Sequence, residues 1–153
     1  MARTFIDYKD NKGFEINEAY IQLAFCYIYQ EARKSQYIFS NKDDLMYDFE
    51  TSINGLRQGY LVLNWDEDLT NQSDEQRMLQ VLQNVKITLQ SKGSYISVAE
   101  LQAIPTEDDD FKVLFSRKPF PATELIKIID ALIKMLQGTW DSTNYSMDIN
   151  YQY

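Results

Sequence analysis

Apolar side chains recur at steps of three and four along most of this chain, and that spacing predicts helices. Between Asn17 and Gln36, Tyr20, Leu23, Ala24, Tyr27 and Ile28 form one stripe, and Ile21, Phe25 and Tyr29 form a second. A helix apolar on most of its circumference belongs at the centre of a core. Asn17 is its expected cap, and Glu18 suits its positive end. A second helix is expected from about Lys42 to Gln58, capped by Ser40 or Asn41, with Leu45, Phe49, Ile53, Leu56 and Tyr60 facing inward. Ser73 to Gln76 has the form of a capping box and opens a third helix, with Met78, Leu82, Val85 and Leu89 inside and Lys92-Gly93 as its stop. Ser97 to Glu100 repeats the box before a short helix carrying Leu101 and Ile104, which Pro105 ends. The last helix runs from about Ala122 to Gln137. Its broad apolar face includes Leu125, Ile128, Ile129, Leu132 and Leu136, and Gly138 closes it.

Elsewhere the period changes. Residues 4–8 and 14–16 alternate around the turn signal Asp10-Asn11-Lys12-Gly13, which reads as a small hairpin or an irregular lead-in. Tyr60 to Trp65 is an apolar run that either continues the second helix or forms a short buried strand. Phe111 to Phe115 reads as a strand or extended segment. Tyr145 to Tyr153 alternates without a break, which is a strand pattern, against the plainer reading of a frayed end. Such a strand would pair with the N-terminal segment or with another protein. The expected fold is mainly α: one domain over residues 1–153, a bundle of four to five helices, with 1–16 as lead-in and 139–153 as an extended tail.

Composition narrows what this fold can do. A chain of 153 residues can bury a sizeable core, and 5 Gly and 3 Pro leave little room for a flexible linker. The formal charge is −8, and most of it lies between residues 61 and 110, which hold ten acidic groups and three basic ones. Nucleic-acid and anionic-membrane surfaces demand the opposite sign. A basic protein would be attracted and its encounter rate raised. The N-terminal residues hold no apolar leader, and the longest nearly apolar stretch, Ala19 to Tyr29, is too short to span a bilayer, so the cytoplasm is the expected compartment.

Catalytic chemistry is sparse. There is no histidine, which removes every Ser-His, Cys-His and His-ligated metal arrangement. The single cysteine, Cys26, sits in an apolar run and reads as a buried hydrophobe. The five glycines are too dispersed for a phosphate loop. Asp66-Glu67-Asp68 begins like a calcium loop, but Asn71 stands where Gly is needed and Arg77 where the bidentate Glu is needed. No cofactor, no metal and no enzymatic role are expected.

What remains is binding. In size and charge the chain resembles the immunity proteins that bacteria pair with toxic nucleases, which implies a partner that is a basic toxin. The expected contact set is Trp65 as aromatic anchor with Asp66, Glu67, Asp68, Asp74 and Glu75, and then Glu107, Asp108, Asp109 and Asp110. The alternative is a structural or adaptor protein, homodimeric through its tail.

Overall fold

The chain begins with a hairpin because residues 4–8 and 14–16 each carry one apolar face. A computed structural model describes residues 2–152. Strand β1 (Arg3–Asp7) pairs antiparallel with β2 (Gly13–Asn17), with Arg3 opposite Asn17 and Asp7 opposite Gly13. Lys9, Asp10 and Asn11 all take positive φ to turn the chain. Gly13 is required by crowding: a Cβ there would lie 1.8 Å from the Ile6 carbonyl oxygen. Ile6, Phe14 and Ile16 are fully buried beneath the hairpin.

Helix α1 (Glu18–Ala32) follows directly and is central, packing against α2 (Lys42–Ile53), α4 (Gln72–Ser91) and α7 (Ala122–Gln137). Three short helices complete the described set: α3 (Trp65–Asp68), α5 (Val98–Gln102) and α6 (Asp109–Leu114). A two-residue ladder, β3 (Tyr95–Ile96) with β4 (Phe120–Pro121), braces the start of α7. The fold is mainly helical, with four long helices and three short ones where a plain bundle of four to five was expected. No helix among the described residues is long and apolar enough to cross a membrane.

Several boundaries differ from expectation for local reasons. Asn17 stands at the N-cap of α1, but its Oδ1 accepts from Arg3 Nη1 instead of capping. Helix α4 starts at Gln72, because Asn71 Oδ1, not Ser73, accepts from a helix N–H, that of Asp74 at 2.9 Å. Ser97 caps α5 through the Glu100 N–H, as its box predicts. Phe111 to Leu114 is helical, with Phe115 as the C-cap, and not a strand. The Asp108 carboxylate caps α6 through the Phe111 N–H, and one turn brings Phe111 and Phe115 edge to face at 4.8 Å.

Within the described residues the tail packs on the rest of the protein. Strand β5 (Tyr145–Ser146) adds to β2 in parallel, giving the order β1-β2-β5, and the Met147 N–H continues to the Glu15 carbonyl. Beyond it the alternation survives as burial: Met147 and Tyr151 go inside, while Asp148 and Gln152 stay out. Tyr151 joins Tyr20, Phe115 and Phe120 in an aromatic cluster. Tyr153, the last member of the predicted alternation, lies outside the described residues.

Candidate functional site

Between α2 and α3 runs an irregular segment, residues 54–64, that is both exposed and firmly held. Helix α2 stops at Ile53 because Asn54-Gly55 makes a Schellman end: the Gly55 N–H reaches the Ser52 carbonyl and the Leu56 N–H reaches that of Thr51. Gly55 has φ +76°, and a Cβ on it would lie 2.6 Å from Asp108 Oδ2, so the loop backbone lies directly against the Asp108 carboxylate.

Buried polar groups of α1 hold the loop from beneath. The Glu18 carboxylate, 6% exposed, accepts from the N–H of Gly59 at 2.9 and 3.1 Å and from that of Leu61 at 3.1 Å. Gln22 Nε2 donates to the Ile53 carbonyl at 2.9 Å and to Asp108 Oδ2 at 3.0 Å. Thr4 Oγ1 donates to the Leu61 carbonyl, and Arg57 pairs with Asp48 at 2.7 Å. Asn54 Oδ1 accepts from the Glu107 N–H, which joins the loop to the 106–108 turn.

With its backbone tied down, the loop points apolar side chains outward. Leu56 is 63% exposed, Tyr60 64% and Val62 41%. The Tyr60 hydroxyl donates to the Leu56 carbonyl at 3.0 Å, which fixes the ring over the loop. Alongside, Gln58 lines a cleft of about 430 Å³ whose floor is Glu18, Gln22 and Asp108 and whose wall is Phe111 and Leu114 of α6.

The loop also connects the two acidic stretches. Asp66 and Glu67 are exposed at its downstream end, and Glu107, Asp109 and Asp110 are exposed where α6 packs against it. These five are the expected contact residues that remain on the surface. Trp65 is 1% exposed and packs edge-on against Tyr8, so it is a core residue and not a surface anchor. Asp74 is buried and accepts from the backbone and hydroxyl of both Ser40 and Thr70. Burial opposes ionisation of Asp74, but those four donors outweigh it and lower its carboxyl below the ordinary value. Glu75 is half-buried and accepts from the Tyr8 hydroxyl and Lys9, which likewise lower it against the effect of burial. Asp108 caps α6 from inside. Asp68 is buried beside Asp48, and burial together with that neighbouring carboxylate raises it to about 8.

Sequence reasoning placed Leu56 and Tyr60 on the inner stripe of α2. The signal against that was Asn54-Gly55, which ends the helix before either residue. It also read Glu18 only as a charge at a helix end, whereas the carboxylate anchors a loop some forty residues away.

Reactive groups are subdued among the described residues. Cys26 is 4% exposed, and burial pushes its thiol up to about 12, which suppresses the nucleophilic thiolate. The phenols of Tyr8, Tyr27, Tyr29 and Tyr37 each donate to a carboxylate, and burial together with those bonds raises them. No group of three or more acidic or thiol side chains among the described residues is arranged to hold a metal ion. No family model, curated protein or solved structure matches the chain.

Proposed function

We propose that this chain is a protein-binding domain whose contact surface is loop 54–64 with its acidic flanks, and that its partner is a basic protein. The observation that carries this reading is the contrast within the loop. Its backbone is anchored by buried polar side chains, while Leu56, Tyr60 and Val62 face outward. Exposed apolar side chains on a pre-organised backbone, ringed by charge, are the pattern of an interface hot spot and its rim. Asp66 and Glu67 on one side and Glu107, Asp109 and Asp110 on the other form a rim of one sign, which selects a basic partner and speeds encounter. An inhibitor of the immunity kind, masking a basic nuclease toxin, is the specific role that suits this chemistry.

The test separates the hot spot from the rim. Partners are captured from the source organism with the wild-type chain, with Leu56→Ala/Tyr60→Ala, and with Asp66, Glu67, Asp109 and Asp110 all replaced by their amides. The apolar pair should weaken a captured basic protein by about 30-fold or more, the scale of a two-residue hot spot. The amide variant should slow association by about tenfold at low salt and little at high salt. A partner that binds both variants as it binds the wild type, or a chain that buries the loop in a salt-resistant dimer of itself, would overturn the proposal.

A further inference from the structure

Beyond the backbone bonds that end α2, the Asp48 carboxylate ties the middle of the loop to that helix. Asp48 Oδ1 accepts from Arg57 Nη2 at 2.7 Å, and the side chains of Asn64 and Asp68 line the same small gap as Asp48. Its neighbours there come from the middle of the loop, from the loop's last residue and from the end of α3. Arg57 is a fixed donor to Asp48. The Asn64 amide does not titrate. Asp68 donates only while it holds a proton.

The surroundings of Asp68 favour that proton. The residue is 5% exposed, and its Oδ2 has no donor directed at it. Asp48 and Asp68 border the same gap, of about 10 Å³, between the rings of Phe25 and Trp65, which leaves room for one water at most. The leading charged groups acting on Asp68 are carboxylates: Asp48 and Asp44 from α2, and Glu67 from α3 itself. The Arg57 guanidinium pairs with Asp48. A proton on Asp68 Oδ2 turns an orphaned acceptor into a donor and removes one of two facing charges.

We propose that Asp48, Asp68 and Arg57 form a proton-dependent latch, which holds loop 54–64 against α2 while Asp68 is protonated and loosens it when that proton leaves to solvent. Once Asp68 ionises, Asp48 gains a repelling neighbour in place of a donor, and the ties at Arg57 and Asn64 must hold the loop without it. The latch stands without any partner. Only its consequence, weaker binding in alkaline conditions, rests on the reading proposed above.

The test reads the loop directly. Amide exchange of Gly59 and Leu61, corrected for its intrinsic rate, is followed from about pH 6 to about pH 9.5 in the wild type and in Asp68→Asn, whose amide still donates to Asp48 but cannot ionise. Wild-type protection should fall by about tenfold or more across a single transition, while Asp68→Asn keeps its protection throughout. In a Trp140→Phe background, Trp65 emission should titrate with the same midpoint and lose that transition in Asp68→Asn. Wild-type protection that stays level to the alkaline limit, or an Asp68→Asn profile that matches the wild type, would overturn the latch. No partner enters the measurement, so its failure is distinct from failure of the binding surface.

Discussion

Glu18 shows how much one buried side chain controls here. Its carboxylate accepts from two backbone N–H groups of a distant loop, and water would have to replace it if it were removed. Glu18→Ala should therefore leave two buried or half-buried donors unpaired and lower stability by about 2–4 kcal/mol, measured by urea unfolding. The same change should raise amide exchange at Gly59 and Leu61 ahead of global unfolding. Glu18→Gln is the milder variant, since an amide oxygen still accepts but carries no charge. Little of this was legible beforehand. A glutamate in a first helical turn is explained well enough by the helix dipole, and no local pattern reveals a partner forty residues on. Asp74 and Asp108 teach the same lesson, because an acidic residue in an acidic run looks solvated until its donors are known. The exposed members of the same runs, Asp66, Glu67, Glu107, Asp109 and Asp110, have the placement that charge alone suggested.

Among the elements, α7 was the most legible, with bounds Ala122–Gln137 that match the apolar stripe and Gly138 at φ +73° as its left-handed end. A long amphipathic helix with a glycine stop leaves no competing reading. Helix α6 was the least legible. Five residues with four apolar members fit a strand as well as a helix, and the Asp108 cap decides between them only once its geometry is known. The tail lies between these cases. Its two-residue period holds as a burial pattern from Met147 to Gln152, but only Tyr145 and Ser146 form ladder pairs with the sheet, and side chains anchor much of the rest. Tyr151 is the main anchor: it packs on Tyr20, Phe115 and Phe120, and its hydroxyl donates to the Lys118 carbonyl at 2.9 Å. Tyr151→Ala should cost about 3–5 kcal/mol, with a lowered Tm by calorimetry, as expected for a large ring removed from an aromatic cluster. Tyr145→Ala, at a position 46% exposed, is the control and should cost much less.

The whole molecule carries a charge of −8, and its stability should vary with pH on two limbs. Asp74 and Glu75 have lowered carboxyls in the folded state, so their contribution is present above the unfolded values of 3.8 and 4.5 and is lost as pH falls through the folded ones. Asp68 has the opposite sign. Its folded value of about 8 lies above the unfolded 3.8, so its contribution is full below that lower value and is lost as pH rises through the upper one. Thermal unfolding followed across pH should thus peak on the acid side of neutrality, where self-repulsion is also smallest. Asp68→Asn should flatten the upper limb and move the peak toward neutral pH. An unchanged profile in that variant would show that Asp68 takes no proton on folding. At this scale the sequence reading was partial. Net charge and helix content were there to be read, but the course of loop 54–64 depends on contacts between residues far apart in the chain.

The pairing of β2 with β5 bears on how the protein is made. The hairpin β1-β2 closes over a few residues and can form within microseconds of leaving the ribosome. Its second neighbour, Tyr145–Ser146, is synthesised only after every helix has been. For most of translation, then, β2 offers an open edge above a row of apolar side chains, Phe14 and Ile16 among them. An open edge of that kind recruits other strands. The nascent chain is therefore exposed to mispairing at this hairpin until the tail has been made.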